Sequence, residues 1–133
     1  MKTVVGIDPG VNTGFAVLQN GALVKVSTMK IHEALRQMEV WFAGNNDFIA
    51  YVEDARQRGG KQAAARLAGS IRRDCKIWED FLVEHKIPHV FVKPTPHGMT
   101  KLDAKTFERL TGWRERTNEH GRDAAMLIWG RHG

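Results

Sequence analysis

The sequence predicts an α/β fold in which helices flank a mixed five-stranded sheet. Short apolar runs separated by turn residues fill the first third of the chain, and they indicate an antiparallel meander. The rest alternates between helical and strand patterns, which is typical of parallel strands joined by crossover helices. We therefore expect three antiparallel strands followed by two parallel ones, in a single domain spanning residues 1–133.

Strands are predicted where β-branched and aromatic residues form short runs bounded by turn residues. The predicted strands cover residues 3–8, 14–18, 22–28, 48–53 and 89–92. Asn20-Gly21, between the second and third, is the strongest hairpin signal in the chain. The first and fourth strands each end in a carboxylate, Asp8 and Glu53.

Helices are predicted where apolar residues recur at steps of three and four. The predicted helices cover residues 30–42, 61–86, 100–111 and 119 to the end. In the second helix we expect one stripe to face the sheet: Ala64, Leu67, Ala68, Ile71, Cys75, Trp78 and Leu82. The third is expected to open with a capping box over residues 100–103 and to stop at Gly112.

Composition and charge narrow the class of protein. The net charge of +5 indicates a polyanionic partner. The single cysteine, Cys75, excludes an internal disulfide and a zinc site built from several thiolates, and we expect it to be buried. No window is apolar enough to span a bilayer, and Asp8 interrupts the first apolar run too early for a signal peptide. We therefore expect a cytoplasmic protein without a membrane partner.

Three carboxylates are predicted to meet at one edge of this sheet. Asp8 and Glu53 end strands that would be parallel neighbours, Asp123 lies in the first turn of the last helix, and His120 shares its helix face. Gathered carboxylates repel one another unless cations lie between them, and paired divalent cations are one means of hydrolysing phosphodiesters. Each residue alone fits a turn, a cap or a first helical turn. Their joint placement favours a metal site.

The motifs around these residues resemble those of RuvC-type Holliday junction resolvases, members of the ribonuclease H-like superfamily. The segments that carry the resemblance are Gly6-Ile7-Asp8-Pro9-Gly10 with Thr13-Gly14, then Val52-Glu53, and then His120-Gly121-Arg122-Asp123-Ala124-Ala125. The resemblance implies a ribonuclease H-like fold and an endonuclease that uses Mg²⁺ or Mn²⁺, two ions per active site, with no small-molecule cofactor. It implies as catalytic residues and metal ligands Asp8, Glu53, His120 and Asp123.

The same resemblance implies the partners. Family members act as homodimers that resolve four-way DNA junctions by paired nicks, in recombination and repair. We expect a dimer built largely on the second predicted helix, whose small residues permit close approach of two copies. We expect DNA contacts from six basic residues: Arg56, Arg58, Lys61, Lys93, Lys101 and Lys105. Arg56 and Arg58 also fit a solvated loop without a ligand.

Two features depart from cellular members of that family. The chain is shorter and resembles their compact phage or prophage relatives. The loop after Glu53 also lacks the aromatic residue that cellular members place against the junction bases, which leaves the selectivity among branched DNAs open.

Three other functions fit parts of the pattern. The segment from Asp8 to Gly14 is also similar to the phosphate-binding strand of actin-like and sugar-kinase ATPases, but those proteins need two such lobes, for which 133 residues leave no room. A related nuclease could act on RNA–DNA hybrids, because the fold and metals are shared and only the binding surface differs. A nucleic-acid-binding module without catalysis is the third, and the complete set of candidate ligands argues against it.

Overall fold

A computed structural model describes residues 2–57, 69–94 and 101–131 of the chain. Its strands are β1 (Thr3–Asp8), β2 (Asn12–Gln19), β3 (Ala22–Lys30), β4 (Phe48–Glu53) and β5 (His89–Val92). Its helices are α1 (Ile31–Phe42), α2 (Gly69–Glu84), α3 (Ala104–Thr111) and α4 (Glu119–Ile128). None of the helices in these ranges is long and apolar enough to cross a membrane.

The strands form one sheet in the order β3-β2-β1-β4-β5. The first three strands pair antiparallel, whereas β4 pairs parallel to β1 and β5 parallel to β4. The predicted mixed sheet is therefore confirmed. The parallel register joins Ile7 to Val52, so that the next residues, Asp8 and Glu53, leave the same edge of the sheet as neighbours.

The hairpin between β2 and β3 turns at Asn20 and Gly21, as predicted. Both residues have positive φ, 50° and 86°, which is the backbone of a type I′ turn. The two strands are longer than predicted because their pairing continues as far as Asn12 and Lys30.

Alternating strand residues build an apolar core on each face of the sheet. On one face, which we call the α2 face, Val5 and Ile7 of β1 pack with Met38 of α1 and with Trp78 and Leu82 of α2. The opposite, α4 face packs under α4 and holds a separate buried cluster: Val4, Ala16, Leu18, Val26, Phe107, Ala124, Ala125 and Ile128. The direction of a strand side chain therefore decides which helix it meets.

Helix α2 differs from its prediction in the exposure of one stripe residue and in the residue at which it ends. Cys75, Trp78 and Leu82 are buried as expected, but Ile71 is 40% exposed, and its expected place in the core is wrong. Trp78 and Leu82 are the buried residues by which α2 joins the core of the α2 face. Ile71 lies about two turns before Trp78 and therefore beyond that core. The helix ends at Glu84 rather than at residue 86, because Lys86 has a φ of 55°, which is incompatible with a helix. Residues 61–68 lie outside the described ranges.

The predicted start of α3 and the predicted end of α4 need correction, whereas α4 begins at Glu119 as predicted. Helix α3 has Asp103 as its N-cap, whose carboxylate accepts from the Thr106 amide over 2.7 Å. The predicted capping box therefore begins three residues too early, and Thr100 itself lies outside the described residues. Gly112 ends α3 as predicted, with a φ of 78°. Helix α4 ends at Ile128 rather than continuing to the end of the chain.

Candidate active site

Helix α4 packs directly on the backbone of β1 and β2. A Cβ atom at Gly6 would lie 2.3 Å from the carbonyl oxygen of Ala124, and one at Gly14 would lie 1.9 Å from that of His120. A side chain at either position would push the helix off the sheet, because neither contact can be relieved by a flexible neighbour. These two glycines therefore set how closely the helix approaches Asp8.

The turn between β1 and β2 is closed by Thr13. Its hydroxyl, fully buried, donates to the carbonyl oxygen of Gly10 over 2.7 Å. The next residue, Gly14, pairs with Asp8 across the two strands. The Thr13-Gly14 pair thus fixes the strand end that carries Asp8 and leaves room beside it for α4.

The first turn of α4 is held by Asn118, a residue that the sequence interpretation did not single out. Its side-chain oxygen accepts from the Gly121 amide over 3.1 Å and also from the hydroxyl of Thr28 on β3. An Asn directly before a helical pattern is a strong N-cap signal, and it could have been recognised from the sequence. This cap orients the turn that carries His120.

His120 and Asp8 are in contact, although 112 residues separate them in sequence. The Nδ1 atom of His120 lies 3.3 Å from Oδ2 of Asp8 and donates to it when that nitrogen carries the proton. Burial, followed by the charge of Glu53, raises the pKa of Asp8 from 3.8 to about 6, against the hydrogen bond with His120 that lowers it. The Asp8 side chain is 17% exposed. The site therefore concentrates negative charge in a place where water screens it poorly.

Asp123 borders the same space but has a cationic neighbour. Its Oδ2 atom lies 3.6 Å from Nζ of Lys101, and its side chain is 12% exposed. Burial raises the pKa of Asp123 above its usual value, while Lys101 opposes that shift. Arg122 braces the segment before α3 by donating to the carbonyl oxygen of Leu102 over 2.8 Å. This brace, which the sequence interpretation missed, keeps Lys101 close to the site.

Glu53 is the last residue of β4. It lies on the α4 face because it follows Tyr51 by two residues, and Tyr51 packs on that face. Its charge is one of the causes of the raised pKa of Asp8. Asp54, one residue later, is buried at 4% exposure and pairs with Arg56 instead. The fold therefore brings Asp8, Glu53, His120 and Asp123 to one edge of the sheet and leaves Asp54 out of this group.

These residues have the donor chemistry of a divalent-cation site, since carboxylate oxygens and an imidazole nitrogen are common ligands of Mg²⁺ and Mn²⁺. Burial first, and then the charge of Glu53, raise the pKa of Asp8, and a bound cation would oppose both effects. Across the described residues, no three histidine, cysteine, aspartate or glutamate side chains are grouped tightly enough to hold one ion as they stand. Asp123, in particular, faces Lys101.

The residues predicted to contact DNA fall into three groups. Lys93, Lys101 and Lys105 are exposed. Arg58 and Lys61 lie outside the described residues. Arg56 is only partly exposed, and its guanidinium faces carboxylates of the protein.

No protein-family model matches the chain, and a search of curated proteins finds no significant relative. Solved structures match it over nearly its whole length. T. thermophilus RuvC in complex with a Holliday junction substrate matches with a TM-score of 0.68 and 17% identity, covering 97% of this chain and 91% of that chain. A second Thermus thermophilus RuvC structure gives a TM-score of 0.65 and 16% identity, covering 96% and 91%.

A viral protein shares the same architecture at a greater distance. Fowlpox virus resolvase in complex with substrate Holliday junction DNA matches with a TM-score of 0.51 and 9% identity, covering 94% of this chain and 95% of that chain. Identities this low establish a shared architecture and leave activity to be argued from the site. The chain therefore has the ribonuclease H-like fold of the RuvC resolvases, as its motifs predicted.

Proposed function

We propose that the chain is a metal-dependent endonuclease that resolves four-way junctions and related branched DNA by paired nicks. The observation that carries this proposal is the meeting of Asp8, Glu53, His120 and Asp123 at one sheet edge, in a chain with the RuvC fold. The net charge of +5 supports a nucleic acid substrate. We take residues 1–133 as one nuclease domain that works in the cytoplasm, in recombination and repair.

In this proposal the four residues hold one or two divalent cations, Mg²⁺ or Mn²⁺. Cations bound there supply charge stabilisation to the attacking and leaving oxygens of the phosphodiester. Asp8 would be the central member of this ligand set, because it interacts with the charges of both Glu53 and Asp123. Lys101 would leave Asp123 and become available to a DNA phosphate.

His120 distinguishes this site from one built of carboxylates alone. Its imidazole contributes no negative charge in the neutral form and offers nitrogen in place of a hard oxygen donor. Mg²⁺ favours oxygen ligands in a strict octahedron, whereas Mn²⁺ accepts imidazole more readily. We therefore expect activity with both ions and faster cleavage with Mn²⁺.

Paired nicks require two active sites related by a two-fold axis, which a symmetric homodimer provides. We assign the dimer contact to α2, on which Ile71 and Val83 are 40% and 62% exposed. We retain Arg58, Lys61, Lys93, Lys101 and Lys105 as the proposed DNA contacts. Light scattering should show a dimer in solution or on the junction, and a monomer in both conditions would contradict this part of the proposal.

The test of the function is a cleavage assay on substrates that share their arm sequences: a four-way junction, a Y-fork, a linear duplex and an RNA–DNA hybrid. We expect symmetrically placed nicks in the junction with Mg²⁺ or Mn²⁺, and none with an Asp8→Asn control purified in parallel. Preferential cleavage of the hybrid would support the alternative of a hybrid-specific nuclease. Junction binding without cleavage in either ion would indicate a non-catalytic module.

A further inference from the structure

The chain segment that follows Glu53 is fixed by a group of ion pairs on the α2 face, formed by Asp54, Arg56 and Glu79, which we call the Asp54 cluster. Arg56 meets Asp54 with two nitrogens, Nε over 2.7 Å and Nη2 over 3.0 Å. Its third nitrogen, Nη1, donates to Oε1 of Glu79 on α2 over 3.1 Å. All three guanidinium nitrogens are therefore directed at carboxylates of the protein, in the two-point geometry that arginine forms best.

Further contacts connect the Asp54 cluster to β5. The Asp54 amide donates to the carbonyl oxygen of Val92 over 2.8 Å. The side-chain amide of Gln57 donates to Oδ2 of Asp54 and to the carbonyl oxygen of Phe91, each over 3.3 Å. The guanidinium carbon of Arg56 lies 5.4 Å from the centre of the Phe91 ring, within range of a cation–π contact. The cluster thus joins the end of β4 to both β5 and α2.

These contacts leave Arg56 poorly suited to bind a DNA phosphate. Turning its guanidinium toward DNA would break the two-point contact with Asp54, a carboxylate that is 4% exposed. An unpaired charge in such a place is strongly unfavourable. One phosphate contact at the surface would not compensate for it, because solvent and salt screen that contact.

We propose that Arg56 is a positioning residue: by holding Asp54 on the α2 face, it fixes the backbone from which Glu53 extends on the α4 face, and it does not contact DNA. Successive side chains of an extended segment point to opposite faces, so anchoring one of two adjacent residues sets the direction of the other. The proposal rests on the proposed nuclease function and adds to it the means by which Glu53 is oriented.

The test compares Arg56→Gln and Glu79→Gln with two reference variants. Lys105→Gln removes the charge of an exposed residue that we propose as a DNA contact. It shows how the loss of one phosphate contact changes junction affinity and its salt dependence. Asp80→Asn alters a carboxylate on the same helix as Glu79. Asp80 forms an exposed ion pair with Lys76 over 3.0 Å. The measurements are single-turnover cleavage at saturating junction, junction affinity as a function of salt, and the Mn²⁺ concentration that half-saturates the thermal stabilisation of the DNA-free protein.

Positioning predicts a specific combination of results. Arg56→Gln should cleave at least about tenfold more slowly and need roughly 10- to 100-fold more Mn²⁺, as loss of support behind a metal ligand does. Its junction affinity and salt dependence should match those of the wild type. Arg56→Lys should recover part of both losses, because a lysine can form one of the two contacts. Glu79→Gln should show a smaller loss of the same kind, and Asp80→Asn none.

Two results would overturn the proposal. One is a Glu79→Gln protein that cleaves and binds Mn²⁺ like Asp80→Asn, and this result counts even if Arg56→Gln fails to fold. The other is an Arg56→Gln protein that weakens junction binding and reduces the slope of log affinity against log salt by about 0.9, as Lys105→Gln should. A wild-type protein that binds Mn²⁺ but cuts no substrate would remove the proposed function and leave the Mn²⁺ measurement as the test. A wild-type protein that does neither would remove both.

Discussion

Glu53 and Asp54 are adjacent carboxylates at the end of β4, and they lie in opposite electrostatic surroundings. On the α2 face, burial alone would raise the pKa of Asp54, but hydrogen bonds from Arg56 and Gln57 hold it below its usual 3.8. On the α4 face, Glu53 adds its charge to a site where the pKa of Asp8 is raised to about 6. One face pairs its carboxylate with an arginine, whereas the other brings carboxylates close enough for the charge of Glu53 to raise the pKa of Asp8.

This contrast separates two roles that look alike in the sequence. A buried carboxylate paired with an arginine has its charge compensated within the protein, and removing one partner leaves an uncompensated buried charge. Buried carboxylates that raise one another's pKa are disfavoured in the free protein, and proteins retain such arrangements mainly at functional sites. Each prediction below breaks or sharpens the contrast between the α4 face and the α2 face.

The largest effect is expected from Asp8→Asn, which removes charge from the crowded α4 face. Cleavage should fall more than about 100-fold, because changes merely behind a metal ligand already cost 10- to 100-fold. Junction binding should persist and can even tighten without metal, because repulsion between carboxylate and phosphate is relieved. Single-turnover assays and binding titrations measure the two properties. Normal cleavage by this variant would remove Asp8 from the mechanism.

Gly14→Ala should disrupt the α4 face without altering any charge. The new Cβ would lie 1.9 Å from the carbonyl oxygen of His120 and 3.0 Å from Cβ of Asp8. We expect a loss of at least about 3 kcal/mol in the free energy of unfolding, together with most of the activity, since α4 must move. Gly69→Ala is the matched control, because nothing among the described residues lies within 4 Å of its new Cβ. Denaturant melts in which the two variants lose stability equally would contradict the close packing of α4.

Asp54→Asn tests the opposite face. The substitution weakens the contact between Arg56 and Asp54, whose side chain is 6% exposed. Among the described residues, Arg56 then keeps Glu79 as its ionic partner. We expect the free energy of unfolding to fall by about 3 kcal/mol, the lower end of the range for a broken buried pair. Asp80→Asn, in an exposed pair, should change it by less than about 1 kcal/mol. Equal stability of the two variants in urea melts would show that the Asp54 cluster contributes nothing to folding.

The two faces should also respond to pH with opposite sign in the metal-free protein. The raised pKa of Asp8 means that the folded state holds its proton more tightly, so stability should fall as pH rises from about 4 to about 6, by up to about 3 kcal/mol. The lowered pKa of Asp54 makes its contribution fully present above about pH 4 and lost as pH falls through its folded-state pKa. Thermal melts in a chelator should show the first slope disappear in Asp8→Asn. Its persistence would assign it to another group.

The smallest effect is expected at His120, whose contact with Asp8 is long, at 3.3 Å. His120→Ala should slow Mn²⁺-supported cleavage by about 10- to 100-fold, equivalent to roughly 1.4–2.7 kcal/mol of activation free energy. His120→Asp should retain part of the rate and shift the preference toward Mg²⁺, because an oxygen donor replaces nitrogen. Rates measured in both ions give the ratio. Full activity of His120→Ala in Mg²⁺ would leave a site of three carboxylates.

Local patterns were sufficient to predict the parts of the fold that depend on neighbouring residues. The β-branched run before Asp8 and the apolar run before Glu53 each form a strand with the predicted ends. Because parallel strands leave a sheet at a common edge, the approach of these two carboxylates followed from the predicted topology. The placement of Asp123 and His120 beside them followed from helical spacing and from the resemblance to a known family.

Features that depend on distant segments could not be predicted in this way. The contact of Arg56 with Glu79 is one such feature, because Glu79 lies 23 residues away on a helix whose rotation the sequence does not specify. The exposure of Ile71 has the same origin, because its periodicity is correct but the core ends before its turn of α2. The role of Gly14 likewise becomes visible only when α4 is seated on the sheet.

The contact between Asp8 and His120 has a consequence for the synthesis of the protein. A ribosome adds Asp8 to the chain 112 residues before it adds His120. At typical elongation rates, roughly 6–20 s separate the two. Translation products that stop before α4 carry Asp8 and Glu53 but have neither His120 nor Asp123. A nascent chain therefore cannot complete the proposed cutting site until α4 has emerged and docked on the first two strands, which delays the assembly of that site until the sheet has been made.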